Sequence, residues 1–175
     1  MMTNKFTYYF AYGSNLNASQ LLHRCPNAIY IKKYILRGYK LVFDYYASIE
    51  YTGNQNDKVR GVIYALSSED LNSLDRYEGV SNNCYRKTFF KLSIRGQNSL
   101  VLTYIKVSNG RSNPTKTYLN KIKRGYKFWG FDLSCLKNIE TQVDISKKST
   151  GFSSKKLEPK YIDNLYYDYF SKVKN

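Results

Sequence analysis

The amino-acid sequence predicts an α+β domain. Segments rich in Ile, Val, Tyr and Phe come first and helical patterns follow, without the alternation of strand and helix that a parallel α/β sheet requires. The length of 175 residues, of which 42% are hydrophobic, is enough for one domain with a hydrophobic core. About six strands of this kind can close on themselves, which removes exposed sheet edges. A small mixed β-barrel with flanking helices is therefore the expected architecture.

Stretches of β-branched and aromatic residues predict the strands. They cover residues 7–12, 28–46, 59–66, 85–95 and 100–107. The longest stretch contains Gly38, so we expect two strands there, with a bend or bulge at the glycine. Gly61, inside the third stretch, marks a bulge or a close approach of two backbones. Residues 47–58 are polar and are expected to form a loop.

Helix signals lie before and between the later strands. The first helix is expected to begin near Asn15 or Asn17, where a capping-box pattern starts, and to end at Pro26. The clearest helix covers residues 67–77. It has serine at its start, acidic residues in its first turn and Gly79 after its end.

The C-terminal third is predicted to be helical. One helix is expected to open at Pro114, and two more to cover residues 132–143 and 157–173. The residues between the last two helices are polar and rich in Lys and Ser, as in a linker. We therefore assign residues 1–146 to the main domain, and residues 147–175 to a polar linker and a C-terminal helix that packs on the same domain.

The charge of the chain is strongly positive. It has 28 Lys and Arg against 13 Asp and Glu, a net charge of +15. Such a charge attracts polyanions, so a basic nucleic-acid-binding module is one alternative for the function. The lysines are spread along the whole chain and form no block of like charge, which makes nucleic acid the weaker choice of partner.

Cysteine usage and hydropathy predict a cytoplasmic protein with no membrane segment. The three cysteines are odd in number and have no CxxC spacing, so neither a disulfide framework nor a metal site is expected. No stretch approaches the roughly 20 apolar residues of a membrane span. No GxGxxG or Walker loop is present, so no cofactor is expected. The sequence leaves open whether the chain forms a homodimer.

Glu78 has the most unusual position in the sequence. It lies seven residues after Leu71 and four after Leu74, and therefore on the apolar face of the clearest predicted helix. Burial and the negative end of the helix dipole both disfavour a carboxylate there. We expect its pKa to be raised, as a general acid or base near neutral pH requires. The alternative is a structural ion pair with Arg76 or Arg86.

The turn Gly13-Ser14-Asn15 joins the first predicted strand to the first helix. N–H groups at such a corner lack partners and can bind a carboxylate or an oxyanion. The alternative is an ordinary turn in which Ser14 or Asn15 caps the helix. Ser14 is not expected to be a nucleophile, because the only histidine, His23, lies about two helical turns away.

Several motifs occur together in one order: YFAYGSNLN, then VRGVIYAL, then LNSLDRYEGV followed by Tyr85. In these motifs and their spacing the sequence resembles the γ-glutamylcyclotransferase family over residues 6–143. The YGSN form is more similar to the γ-glutamylcyclotransferases proper than to the γ-glutamylamine cyclotransferases.

The resemblance implies a cofactor-independent enzyme that cyclises a small γ-glutamyl substrate to 5-oxoproline and releases a free amino acid. It implies Glu78 as the catalytic acid and base. The residues that match the family's substrate-binding loop and pocket tyrosines are Tyr12, Gly13, Ser14, Asn15, Tyr85, Tyr104 and Tyr118. The tyrosines are expected to close the pocket and to hydrogen-bond the substrate's α-carboxylate. A γ-glutamyl amine or a γ-glutamyl-protected metabolite is the alternative substrate.

Overall fold

The computed structural model describes residues 6–140 of the chain. These residues form strands β1 (Thr7–Ala11), β2 (Ile29–Arg37), β3 (Tyr39–Asp44), β4 (Tyr46–Tyr51), β5 (Lys58–Leu66), β6 (Tyr85–Ile94) and β7 (Gln97–Lys106). The helices are α1 (Ala18–Arg24), α2 (Ser68–Tyr77), α3 (Lys116–Trp129) and α4 (Ser134–Glu140), and short 3₁₀ turns cover Ser14–Leu16 and Val80–Asn82.

The strands form two sheets. Five of them pair in the order β2-β5-β1-β7-β6, with β1 antiparallel to β5 and parallel to β7, and β3 and β4 form a separate hairpin. The predicted α+β class with flanking helices is confirmed. Within residues 6–140 the strands do not close into one hydrogen-bonded ring. The hairpin instead meets β7 through a side chain, because the Lys106 N–H donates to Ser48 Oγ at 3.1 Å.

The centre of the large sheet is β1, which leads directly to the turn at Gly13. Phe10 and Ala11 are completely buried. Gly61 on the neighbouring strand β5 admits this packing, since a Cβ there would lie 2.2 Å from the Phe10 ring and 2.5 Å from the Ala11 carbonyl oxygen. The close approach predicted at Gly61 is therefore confirmed, and it fixes the end of β1.

Helix α3 holds the 3₁₀ turn that follows β1. The Thr115 hydroxyl oxygen caps α3 by accepting the Tyr118 N–H at 3.2 Å. Gly125 packs directly on Leu16, where a Cβ would come within 2.6 Å of the Leu16 carbonyl carbon. Trp129 Nε1–H donates to the Leu16 carbonyl oxygen at 3.0 Å. Helix and turn are thus joined by packing and by a buried hydrogen bond.

Strand β4 lies where a loop was expected, so the loop prediction for residues 47–58 is wrong over its first part. The error comes from the turn between β3 and β4. Tyr45 adopts a left-handed conformation there, with φ of 59°, where glycine or asparagine is the usual signal. Ala47 pairs with Phe43 and Ile49 with Leu41, and Ala47, Ser48 and Ile49 are buried.

The C-terminal predictions are covered only in part. Helix α4 lies within the range predicted for it, and the linker and the helix expected at residues 157–173 lie outside the described residues. Among residues 6–140, no helix combines the length and the apolar character needed to cross a membrane.

Candidate active site

A small pocket lies where the turn after β1 meets the end of α2. Its lining comprises Tyr9, Tyr12, Gly13, Ser14, Asn15, Ala47, Glu78, Tyr85, Tyr104 and Tyr118. All eight residues singled out from the sequence are therefore brought together, and Tyr9 and Ala47 are additions. The pocket is small, with a volume of about 30 Å³.

Glu78 is the only carboxylate in the lining of this pocket. It is the C-cap of α2, and its main-chain N–H donates to the Leu74 carbonyl oxygen at 2.9 Å. Its side chain is 14% exposed. Burial raises the pKa of Glu78, while the charge of Arg24 and a hydrogen bond from Asn15 act in the opposite direction. The direction expected from the sequence is confirmed.

Arg24, at the end of α1, is the cation beside Glu78, and sequence reasoning missed it. Its Nη1 lies 3.9 Å from Glu78 Oε1, and its guanidinium lies 4.7 Å from the centre of the Tyr77 ring. Neither Arg76 nor Arg86, the partners proposed from sequence proximity, forms an ion pair within the described part of the chain. Arg24 is distant in sequence from Glu78, and no local pattern links the two.

Asn15 connects these charges to the pocket. Its side-chain Nδ2–H group donates to Tyr9 Oη and to Glu78 Oε1, at 2.9 Å each. Its Oδ1 accepts from Arg24 Nη1 at 2.8 Å. With both sides of the carboxamide engaged and only 4% of the residue exposed, its orientation is fixed. The alternative that Ser14 or Asn15 caps the helix is therefore wrong, since the N-cap of α1 is Asn17 and the Asn15 side chain bonds Tyr9, Glu78 and Arg24 instead.

The pocket tyrosines are tied to the main chain around them. Tyr12 Oη–H donates to the Tyr104 carbonyl oxygen at 2.6 Å, and Tyr85 Oη–H donates to the Ala47 carbonyl oxygen at 2.8 Å. Tyr118 Oη accepts the Ala47 N–H at 3.1 Å. Burial raises the pKa of each of these hydroxyls, that of Tyr118 to about 12, and the Glu78 charge adds to the effect. All remain protonated at neutral pH.

The turn after β1 supplies the remaining donors. Ser14 and Asn15 are the first residues of the 3₁₀ turn, so their N–H groups have no acceptor within it. A Cβ on Gly13 would lie 3.2 Å from Ala47 Cβ and 3.6 Å from Tyr118 Oη, so the glycine keeps the pocket open at this point. Ser14 Oγ accepts from Gln20 Nε2 at 2.9 Å. The single histidine, His23, is exposed.

A second, larger cleft lies on the other side of β4. Its volume is about 590 Å³, and its lining includes Asp44, Glu50, Lys106 and Arg111. These charges are already paired, Asp44 with Lys106 and Glu50 with Arg111. Size alone would favour this cleft, but its lining contains none of the eight site residues expected from the sequence. No group of three potential metal ligands occurs among the described residues.

Comparison with known proteins identifies the family. Residues 9–125 match the model of the family described as "Gamma-glutamyl cyclotransferase, AIG2-like". A mouse protein named gamma-glutamylcyclotransferase is 29% identical over 130 residues, which cover 68% of this chain and 69% of that one. A bovine protein of the same name is 28% identical over 144 residues, covering 76% and 77%.

A solved structure titled gamma-glutamyl cyclotransferase has the same fold. It superposes with a TM-score of 0.70 at 24% identity and covers 94% of this chain and 99% of its own. At this identity the superposition supports the fold alone. The match of the family model, which spans more than half of the chain, establishes the relationship: the chain belongs to the γ-glutamyl cyclotransferase, AIG2-like family.

Proposed function

We propose that this protein is a γ-glutamylcyclotransferase that converts a γ-glutamyl amino acid to 5-oxoproline and the free amino acid, a reaction of glutathione metabolism. Family membership and the names of the mouse and bovine relatives support the reaction class. The observation that carries the proposal is Glu78, a carboxylate of raised pKa facing the turn at Gly13 in a tyrosine-lined pocket.

In the proposed reaction the substrate supplies its own nucleophile. Glu78 takes a proton from the α-ammonium group, and the freed amine attacks the γ-carbonyl carbon and closes a five-membered ring. The bond from this carbon to the leaving nitrogen then breaks. The ring nitrogen keeps one of its three hydrogens, and the leaving amine gains the other two. One carboxylate can carry these protons in turn, first as base and then as acid.

The oxyanion formed at the γ-carbon needs donors. The N–H groups of Ser14 and Asn15, which lack an acceptor in the 3₁₀ turn, are suited to this role. Loss of one such donor costs roughly 2.7–4 kcal/mol of transition-state stabilisation in other acyl-transfer enzymes. Tyr12, Tyr85, Tyr104 and Tyr118 are assigned to substrate binding, and holding the glutamyl chain in its curled form contributes to the rate.

The test is release of 5-oxoproline from a panel of γ-glutamyl dipeptides, glutathione and γ-glutamyl amines. The wild type is compared with Glu78→Gln and with Glu69→Gln, an exposed glutamate at the start of the same helix α2. We expect release by the wild type and by Glu69→Gln, and none by a folded Glu78→Gln. The panel ranks the leaving groups. Failure of the wild type on every member would refute the proposed reaction.

A further inference from the structure

The hydroxyl protons of three pocket tyrosines are already bound by the protein. Tyr12 donates to the Tyr104 carbonyl oxygen at 2.6 Å, and Tyr85 donates to the Ala47 carbonyl oxygen at 2.8 Å. Tyr104 Oη–H donates to Asp75 Oδ1 at 2.6 Å. A tyrosine hydroxyl has a single proton, so each of these three oxygens offers a ligand only its lone pairs. These three oxygens and the Glu78 carboxylate are acceptors in the lining of the pocket.

The turn at Gly13 contributes donors to the same pocket. Tyr118 Oη accepts an N–H from Ala47 and also hydrogen-bonds Ser14. It lies beside the turn at Gly13, where the N–H groups of Ser14 and Asn15 lack acceptors in the 3₁₀ turn. The pocket lining therefore contains N–H donors at the turn and acceptor oxygens on Tyr12, Tyr85, Tyr104 and Glu78.

Asp75 determines the direction of the Tyr104 hydrogen bond. It lies on α2, one turn before Glu78, and is absent from the pocket lining. Its second oxygen, Oδ2, lies 2.5 Å from Lys87 Nζ on β6. The carboxylate cannot donate, so the short contact with Tyr104 must use the tyrosine proton. The ion pair with Lys87 fixes the position of the Asp75 carboxylate, so that its other oxygen faces the Tyr104 hydroxyl.

We propose that Asp75 is a positioning residue: by accepting the Tyr104 hydroxyl proton it turns the Tyr104 oxygen into an obligate acceptor for the α-ammonium group of the substrate. This inference rests on the proposed function. It reverses the expectation that the pocket tyrosines hydrogen-bond the α-carboxylate, since Tyr12, Tyr85 and Tyr104 have no proton left to give it. The N–H donors of the turn at Gly13–Asn15 remain matched to the oxyanion formed at the γ-carbon.

The test compares two ligands that differ only in the α-amino group. These are γ-L-glutamyl-L-alanine and glutaryl-L-alanine, which keeps both carboxylates and the amide. Binding is measured by calorimetry in the Glu78→Gln background, where turnover is not expected, with and without Asp75→Leu. We expect Asp75→Leu to weaken binding of the aminated ligand by about 10- to 100-fold, as for loss of a hydrogen bond to a charged group. Binding of glutaryl-L-alanine should change by less than about 3-fold, since one uncharged contact at most is affected.

Further variants distinguish a positioning role of Asp75 from a general loss of structure. Tyr104→Phe should reproduce the selective loss, and adding Asp75→Leu to it should produce no further selective loss. Asp75→Asn provides the same comparison if Asp75→Leu does not fold, with a smaller selective loss because Asn keeps an acceptor oxygen. Asp44→Asn, which breaks a comparable Lys–Asp pair in the larger cleft, should leave the ratio of the two affinities unchanged.

Equal weakening of both ligands, or no weakening of either, would overturn the role of Asp75 while leaving the cyclotransferase proposal intact. A wild type that releases no 5-oxoproline would instead overturn the proposed function. In that case the ammonium site would still be supported if the Glu78→Gln protein binds the aminated ligand more tightly than glutaryl-L-alanine, and if adding Asp75→Leu abolishes this preference. Absence of any such preference would reject it.

Discussion

Two carboxylates whose side chains are equally exposed have pKa values that are shifted in opposite directions. The side chains of Asp44, in the larger cleft, and Glu78, in the small pocket, are each 14% exposed. Hydrogen bonds from Lys106 and Ser108 hold the pKa of Asp44 below its ordinary value, whereas burial raises the pKa of Glu78. The difference lies in burial, which is the largest effect on the pKa of Glu78 and a lesser one on that of Asp44, and in the partners of each group. Asp44 contacts an ammonium directly, and Glu78 has its nearest guanidinium nitrogen at 3.9 Å and tyrosines around it.

This comparison shows why the smaller cavity is the better candidate for chemistry. A carboxylate paired as closely as Asp44 keeps its negative charge and has little tendency to take a proton at neutral pH. Burial disfavours the ionised form of Glu78 and so raises its pKa. A raised pKa suits a group that must accept a proton and return it. The size of a cleft says nothing about this property.

The largest expected difference between the two sites is in turnover. Glu78→Gln should lower kcat by at least about 10³-fold, because it removes the proton-transfer group. Asp44→Asn should change kcat by less than about 2-fold, within the usual range for a site away from the chemistry. Release of 5-oxoproline under saturating substrate measures both. Comparable losses in the two variants would show that the sites are not functionally distinct.

Replacement of Arg24 should increase the difference in pKa between Glu78 and Asp44, because it removes the cation beside Glu78. Arg24→Met is expected to raise the pKa of Glu78 further, since the arginine charge lowers it. The acidic limb of the kcat/KM–pH profile should therefore move to higher pH. Activity should also fall by about 10-fold, because Asn15 loses the partner that orients it.

The control for Arg24 is Arg76→Met, the arginine that sequence proximity suggested. Arg76 is exposed and forms no ion pair within residues 6–140. Its pH profile should match that of the wild type. A shift in the Arg76 variant, or an unchanged limb in the Arg24 variant, would contradict the assignment of the cation.

Gly13→Ala tests the narrow space at the turn. A Cβ at Gly13 would lie 3.2 Å from Ala47 Cβ, so crowding against Ala47 is the expected cost of the substitution. We expect kcat/KM to fall by about 3- to 10-fold, as for a small displacement in a binding site. The double variant Gly13→Ala/Ala47→Gly should recover most of the loss. No recovery would mean that the glycine acts in some other way.

The smallest effect is expected for Ser14→Ala. The main-chain N–H remains, and the side-chain contacts with Gln20 and Tyr118 are lost. Activity should fall by less than about 5-fold, in keeping with loss of neutral hydrogen bonds. A loss as complete as that of Glu78→Gln would reopen the possibility that Ser14 is a nucleophile.

Local patterns predicted much of the fold and the site. The apolar stripe of α2 indicated an inward Glu78, and the resemblance selected the turn at Gly13 and the tyrosines at positions 12, 85, 104 and 118, all of which line the pocket. Gly61 correctly marked a close approach of backbones. These features have signals in short stretches of sequence or in motif order.

What the sequence did not predict depends on contacts between distant segments. Arg24 reaches Glu78 only because α1 and α2 pack together, and Ala47 reaches Tyr85 and Tyr118 only through strand β4. That strand was mistaken for a loop because its turn uses Tyr45 in a left-handed conformation. No periodicity within one element carries such information.

The most direct test of the account is the pH dependence of stability for the wild type, Glu78→Gln and Asp44→Asn. A carboxyl group whose pKa is raised in the native state stabilises the fold at low pH, and this contribution is lost as pH rises through the native pKa. A carboxyl group whose pKa is lowered in the native state stabilises the fold at high pH, and this contribution is lost as pH falls through the native pKa. Thermal unfolding from about pH 3 to 8 spans both windows, which begin near ordinary carboxyl values of about 4.

At pH 8 we expect Glu78→Gln to be more stable than the wild type and Asp44→Asn to be less stable. Both differences should shrink towards acid pH, as each native carboxylate becomes protonated. Differences of the same sign at pH 8 would contradict the account. In particular, a destabilised Glu78→Gln whose deficit grows with pH would show that the Glu78 carboxylate is stabilised in the native state, and not poised to accept a proton.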